Sequence, residues 1–95
     1  MKGNIAMPVY ALETETGDIY CFNKINELKI MVEEFFDILK EEFIFWDRNG
    51  YRISFDKSFI QDNINEAIIE ENEEEVMNKI IACYMNNNKF ENDIL

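Results

Sequence analysis

The sequence predicts an α+β domain whose antiparallel sheet is built from two β-hairpins, with helices mainly on one face of the sheet. Apolar, β-favouring segments flank turn sequences at residues 7–22 and again at 43–56. Between them, residues 25–39 repeat apolar side chains at three- and four-residue steps, which is typical of an amphipathic helix. The acidic segment after the second hairpin has a helical pattern interrupted near Asn72, and it predicts two C-terminal helices.

The first hairpin is predicted between Met7 and Phe22. The segments "MPVYALE" and "IYCF" are rich in apolar and β-favouring residues. The intervening "TETGD" supplies a turn in which Gly17 can take a positive φ. Pro8 has no N–H to donate to a sheet, so we expect it at a strand end or on an edge strand.

The helix after this hairpin is predicted to begin with Asn23 as its N-cap. Its apolar residues form one wide stripe that should face the core. The members of that stripe are Ile25, Leu28, Val32, Phe35, Phe36 and Leu39. The acidic residues that lie mostly off the stripe, and should therefore be exposed, are Glu27, Glu33, Glu34 and Asp37.

The second hairpin is predicted from "EFIFWDRNGYRISFD", residues 42–56. Asn49-Gly50 between two aromatic-rich segments predicts a two-residue type I′ turn, because that turn needs positive φ at both central residues. Such a turn pairs Trp46 with Ile53. The core face would then carry Ile44, Trp46, Tyr51, Ile53 and Phe55.

The same register places Phe43 and Phe45 on the opposite face of the hairpin. It also makes Asp47 and Arg52 an exposed cross-strand ion pair, whose contribution would be at most about 1 kcal/mol. A sheet with one wet face does not explain two phenylalanines there. They are covered either by the C-terminal segment or by a partner protein.

The C-terminal acidic segment contains seven acidic and no basic residues between Asp62 and Asn78. One continuous helix would bring glutamates together at repulsive i,i+4 spacing and rotate the apolar stripe. A break at Asn72 removes both problems. Asn63 and Asn72 then act as N-caps, each with a glutamate three residues later. Residues 73–75 fill a first turn, where the helix dipole favours anions.

Capping uses only part of this charge, so the segment is either purely structural or also a surface for a partner. The candidate partner-binding residues are Glu66, Glu70, Glu71, Glu73 and Glu74. Glu70 and Glu71 are the first choice because they would end a helix, where the dipole disfavours anions. Secondary candidates are Phe43, Phe45, Glu33, Glu34 and Asp37.

The composition indicates one folded domain over residues 1–95, with a polar tail at 86–95 that we expect to fray. Leu, Ile, Val and Phe make up 29 of the 95 residues, enough for a core despite the net charge of −11. That charge argues against direct binding to nucleic acid or to an anionic membrane, since both require basic patches. It points instead to a basic partner protein or to solubility alone.

Several functional classes are excluded or disfavoured by what the chain lacks. It has no histidine, so a Ser-His or Cys-His catalytic pair is impossible. Its three glycines are scattered and form no phosphate-binding loop, and we expect no metal or cofactor. We therefore predict that it is not an enzyme. Without a membrane-length apolar run or a signal-peptide pattern, it is expected in the cytoplasm.

In size, acidity, lack of catalytic residues and mixed α+β pattern, the chain resembles the small acidic immunity proteins of bacteria, which neutralise toxic nucleases by covering them. "GDIYCFNKINEL" is also similar to the strand-to-first-helix passage of the barnase inhibitor family. This resemblance implies an inhibitor that binds a basic toxin, above all a nuclease. No functional residue is transferred, because the aromatic and acidic segment expected after that helix is not evident in this sequence.

Elementary electrostatics supports the same class of protein. Nuclease surfaces are basic because they hold phosphates, and an acidic partner gains electrostatically steered association. Two alternatives remain open. A nucleic-acid mimic that inhibits a DNA-binding protein would need carboxylates in phosphate-like rows. A non-inhibitory accessory module would depend more on Phe43 and Phe45 than on the glutamates.

Overall fold

The computed structural model describes residues 1–86, which form a six-stranded antiparallel sheet and four helices. The strands are β1 Lys2–Asn4, β2 Val9–Glu13, β3 Ile19–Phe22, β4 Phe43–Trp46, β5 Tyr51–Ser54 and β6 Glu66–Asn72. The helices are α1 Ile25–Phe35, α2 Leu39–Glu42, α3 Ser58–Gln61 and α4 Glu74–Asn86, with a 3-10 turn Phe36–Ile38 between α1 and α2. The predicted α+β class is confirmed. A frayed tail is predicted for residues 86–95, and all of these except Asn86 lie outside the described residues.

The strand order is β1-β6-β5-β4-β2-β3, and every neighbouring pair is antiparallel. The first predicted hairpin is confirmed as β2 and β3, with Gly17 at a φ of +78° in its turn. Pro8 directly precedes β2, at a strand end as expected. Helix α1 has Lys24 in its N-cap position and no side-chain cap, so the prediction of Asn23 as the cap was wrong.

The main core lies between one face of the sheet and the helices α1, α2 and α3. Because side chains alternate along a strand, this face carries Val9, Ala11, Phe43, Phe45 and Ile53. The predicted helical stripe packs on it: Leu28, Val32 and Leu39 belong to the core, and Ile25, Phe35 and Phe36 pack against it. The acidic residues predicted to lie off this stripe are exposed.

Helix α4 lies on the opposite face of the sheet, so the helices are on one face except for α4. Ile19, Trp46 and Met77 are buried there, outside the main core cluster. The Trp46 indole contacts Glu73 beside the first turn of α4, and the Tyr84 hydroxyl lies 3.4 Å from Asp18 Oδ1 near its last turn. Helix α4 therefore crosses the second face from the β4–β5 turn to the start of β3.

The second hairpin exists, but its turn differs from the predicted two-residue type I′ turn. Asp47 N–H donates to Tyr51 C=O, so Arg48, Asn49 and Gly50 form a three-residue loop. Gly50 has a φ of +86°, whereas Asn49 has no positive φ. This combination is a type I turn followed by a glycine in the left-handed region. The extra loop residue shifts the register by one.

The shifted register reverses the predicted faces of β4 only, because Ile53 and Phe55 lie in the main core as predicted. Phe45 pairs with Ile53 and Trp46 with Arg52. Phe43 and Phe45 are therefore core residues under α1, with the Phe43 ring 5.7 Å from the ring of Phe35. Neither the C-terminal segment nor a partner is needed to cover them.

Asp47 was predicted as the anion of an exposed ion pair, and this was wrong. Its side chain is buried, and its Oδ1 accepts hydrogen bonds from the N–H groups of Asn49 and Tyr51 at 2.8 and 3.0 Å. The carboxylate thus stabilises the turn from within. Arg52 approaches Glu73 instead, with 3.8 Å between their charged atoms.

The prediction of the first of the two C-terminal helices was also wrong. Residues 66–72 form strand β6, which pairs with β5 and with the unpredicted strand β1. Asn63 does not cap a helix but has a φ of +54° in the loop before β6. The second helix is confirmed as α4. Asn72 Oδ1 accepts a hydrogen bond from Glu74 N–H at 3.0 Å, so its predicted capping role is confirmed.

Candidate acidic binding surface

The acidic segment splits at Asn72 into two groups of glutamates with different surroundings. On the helix side, Asn72 Nδ2 donates to Asn49 C=O at 3.1 Å, and Glu73 N–H donates to Gly50 C=O at 2.7 Å. A Cβ atom on Gly50 would lie 2.4 Å from the Cα of Glu74. The first residues of α4 are therefore held directly against the β4–β5 turn.

Glu73 has a structural role that the sequence did not predict. Its Oε1 accepts a hydrogen bond from the buried Trp46 indole N–H at 2.9 Å, and its Oε2 lies 3.8 Å from Arg52. Its side chain is only 23% exposed. The charge of Glu73 is therefore used inside the molecule and is poorly placed for a partner. Glu74 is exposed, but its backbone is part of the turn contact.

Glu70 and Glu71 have a different environment at the end of β6. Both are exposed, and within residues 1–86 neither side chain makes a hydrogen bond or a salt bridge. The predicted helix end at Glu70 and Glu71 was wrong, because these residues lie at the end of strand β6, and the helix-dipole argument does not apply to them. Glu75, in the first turn of α4, is also exposed.

A β-bulge brings Glu70 and Glu71 together. Ile53 pairs with Ile69, but two residues earlier on β5 Tyr51 pairs with Asn72, so β6 has one extra residue at this point. Glu70 and Glu71 both stand opposite Arg52. A bulge of this kind puts two successive residues on the strand against one on its neighbour and re-aims their side chains.

The remaining predicted site residues lie on several elements, and three of them, Asp37, Phe43 and Phe45, line one cleft together with Glu70 and Glu71. Glu66 is half-buried in β6 and pairs with Asn4 of β1. Glu33, Glu34 and Asp37 are exposed on or just after α1, which covers the other face of the sheet. Phe43 and Phe45 belong to the main core and are only 7% and 4% exposed.

A cleft of about 720 Å³ adjoins Glu70 and Glu71. Its walls come from strands β4, β5 and β6, from the α2 region and from the loop after β5. On the face of the sheet opposite the main core, it is lined by Ile44, Arg52, Ser54, Ile68, Glu70 and Glu71. The predicted register placed Ile44 on the core face, so the sequence did not predict that these residues line one cleft.

Few of the carboxylates are neutralised by nearby bases. The sequence has 20 acidic and 9 basic residues, yet residues 1–86 contain two salt bridges, Arg52–Glu73 and Lys2–Asp56. One further lysine is used internally: Lys29 Nζ donates to Phe59 C=O at 3.1 Å and to Asn63 Oδ1 at 2.7 Å. The exposed glutamates near Asn72, which are Glu70, Glu71, Glu74 and Glu75, take part in neither salt bridge.

Asp56, in contrast, is a carboxylate that forms both a salt bridge and hydrogen bonds within the molecule. It accepts from Lys2 Nζ at 2.7 Å and from the backbone N–H and hydroxyl of Ser58 at the start of α3. These bonds, that from Lys2 first, lower the pKa of Asp56 from 3.8 to about 2. Asp56 therefore joins β1 to the start of α3.

Comparison with known proteins identifies no relative: no family model matches the chain, and neither a curated protein nor a solved structure matches it significantly.

Residues 1–86 contain no group of three or more acidic or cysteine side chains arranged to hold a metal ion. Within the same residues, no helix combines the length and apolar character that a membrane crossing would require.

Proposed function

We propose that the protein is an inhibitor of the immunity type, which binds a basic toxin, above all a nuclease, through the acidic surface at the end of β6. The observation that carries the proposal is the pair Glu70 and Glu71, exposed, adjacent at a bulge and in no salt bridge within residues 1–86. Glu74 and Glu75 extend this surface along the start of α4.

Unpaired carboxylates on one surface repel one another, and nothing in the fold of residues 1–86 uses the side chains of Glu70 and Glu71. A basic partner relieves that repulsion. It also approaches faster, because complementary charge steers diffusional encounter by roughly 10–10³-fold at low salt. The inhibitor then needs no catalytic group of its own, since covering the toxin's phosphate-binding surface is sufficient.

The test compares two variants with identical charge change at opposite faces of the sheet. Glu70→Lys with Glu71→Lys reverses the proposed surface, and Glu33→Lys with Glu34→Lys reverses the same number of charges on α1. Both variants and the parent protein are used to capture partners from extracts of the native host. Captured proteins are identified by mass spectrometry, and association rates are then measured with the purified partner.

We expect a basic protein to be captured by the parent and by the α1 variant, but poorly by the β6 variant. Its association with the β6 variant should be at least about tenfold slower at low salt and less dependent on salt. When the β6 variant is co-expressed with the toxin, it should no longer protect the cells, whereas the parent protein and the α1 variant should. Unchanged association and protection in the β6 variant would overturn the proposed surface.

A nucleic-acid mimic is the second candidate function, because exposed carboxylates also occur on α1. Glu27, Glu33, Glu34 and Asp37 are all exposed on or just after that helix. Mimicry would use charge on both faces, so both double variants should weaken binding similarly and the captured protein should bind DNA. The accessory-module alternative has less support, because Phe43 and Phe45 are only 7% and 4% exposed.

A further inference from the structure

The second face of the sheet is only partly covered by α4. Helix α4 packs where Trp46, Ile19 and Met77 are buried, between the β4–β5 turn and the start of β3. Ile44 and Ile68, on the same face, are only partly buried. They line the cleft beside Glu70 and Glu71 and form its apolar floor on this face of the sheet.

The charge around this floor favours a cation. Of the residues that line the cleft, five are acidic and three are basic. One of the bases, Arg52, is shared with Glu73 outside the cleft, which weakens its attraction for an incoming anion. Glu70 and Glu71 have no such partner among residues 1–86.

We infer that this cleft receives a segment of the basic partner in which a lysine or arginine lies next to apolar side chains. The inference rests on the proposed function and specifies where the partner inserts. The apolar side chains contact Ile44 and Ile68, while the cation binds Glu70 and Glu71 at the bulge.

The dimensions and chemistry of the cleft fit such an occupant. Its volume of about 720 Å³ is within the range of roughly 300–1,000 Å³ usual for binding pockets. A short segment with two or three side chains fills that space. Apolar contact at the centre with charge at the rim is also the usual anatomy of a specific protein interface.

A peptide experiment tests the cleft without the natural partner. The probe is a blocked hexapeptide of alternating lysine and valine, titrated into isotopically labelled protein and followed by amide and methyl NMR. Hexalysine and an alternating glutamate–valine hexapeptide are the comparison ligands. We expect saturable shifts at the methyl groups of Ile44 and Ile68 and at the amides of Glu70 and Glu71 with the lysine–valine peptide. The glutamate–valine peptide should cause none.

Two tryptophan variants provide a matched steric test. Ser54 pairs with Ile68 and lines the cleft, so Ser54→Trp should fill it and abolish the methyl shifts. Ile30→Trp places the same residue on α1, where Ile30 is 66% exposed, and should leave the shifts intact. If Ser54→Trp does not fold, as judged by circular dichroism, Glu70→Gln with Glu71→Gln replaces it and should weaken peptide binding.

Peptide shifts located on α1, absent shifts, or equal binding of the glutamate–valine peptide would overturn the inference. Its failure is distinguishable from failure of the proposed function. If partner capture depends on Glu70 and Glu71 but not on the filled cleft, only the cleft inference fails. If the lysine–valine peptide occupies the cleft but no basic partner is captured, the proposed function fails.

Discussion

The glutamates on the two sides of Asn72 are close in sequence, but their surroundings differ. Glu73 accepts a hydrogen bond from the Trp46 indole N–H, and the backbone of Glu74 packs against Gly50 at the start of α4. Glu70 and Glu71 end a strand and make no side-chain contact of this kind within residues 1–86. Acidic density alone therefore does not distinguish a structural carboxylate from a binding one. The distinguishing feature is whether a donor inside the fold already uses the charge.

This comparison separates a structural junction, formed by the β4–β5 turn and the first residues of α4, from the exposed end of β6. Substitutions in the junction should change the free energy of unfolding. Substitutions at Glu70 and Glu71 should change binding with little effect on stability, because surface changes away from specific contacts are usually worth less than about 0.5 kcal/mol.

The largest effect on the free energy of unfolding is expected at Gly50, where both the backbone conformation and the close contact with Glu74 disfavour a side chain. Gly50→Val puts a β-branched residue at a φ of +86° and drives its Cβ into the backbone of Glu74. Strain and overpacking together should cost roughly 3–5 kcal/mol, measured by urea unfolding. Gly17→Val is the matched control, since its φ is +78° but no atom lies within 4 Å. Equal costs at both positions would show that the contact with Glu74 is unimportant.

A smaller effect is expected when the acceptor for Trp46 is removed. Glu73→Ala leaves a buried indole N–H unpaired and should destabilise by about 1–3 kcal/mol. Trp46 is the single tryptophan, so its fluorescence should change directly. Glu70→Ala is the control and should stay within about 0.5 kcal/mol of the parent. If Glu70→Ala costs as much as Glu73→Ala, the distinction between the two groups is wrong.

The smallest effect concerns the pH dependence contributed by Asp56. Because hydrogen bonds lower its pKa from 3.8 to about 2, its contribution to stability is present above pH 3.8 and is lost as the pH falls toward 2. An NMR titration of the Asp56 carboxyl should therefore find a midpoint near 2. Lys2→Ala removes the largest cause and should raise that midpoint. A midpoint near 3.8 in the parent protein would contradict the bonded arrangement.

The sequence predicted the elements that depend on local pattern. The apolar stripe of α1, the first hairpin and the capping function of Asn72 follow from side-chain periodicity and turn chemistry. In the second hairpin, Asn49-Gly50 predicts a two-residue turn, whereas Asp47 three residues before Gly50 predicts a different one. Aspartate at the first and glycine at the fourth position are typical of a type I turn, and that reading would have given the observed register.

The candidate site could be predicted only in part, because β6 depends on distant pairing. Glu and Ala favour a helix locally, but Ile68 and Ile69 favour a strand, and the sheet decides between them. Ile69 meets Ile53, and Ile68 meets Lys2 and Ser54, so the choice is made by residues far away in sequence. Glu70 and Glu71 were identified as candidates, but the cleft beside them required the true register of β4 and β5.

The pairing of β1 with β6 has a consequence for the order of folding. Lys2 meets Ile68, so the first strand gains its partner only after residues 66–68 have been synthesised. Contacts of such long sequence separation form slowly, because the intervening chain must first be ordered. The same strand, β6, carries Glu70 and Glu71. Residues 66–68 of that strand therefore complete their pairing late, and the proposed binding surface adjoins one of the last parts of the sheet to form.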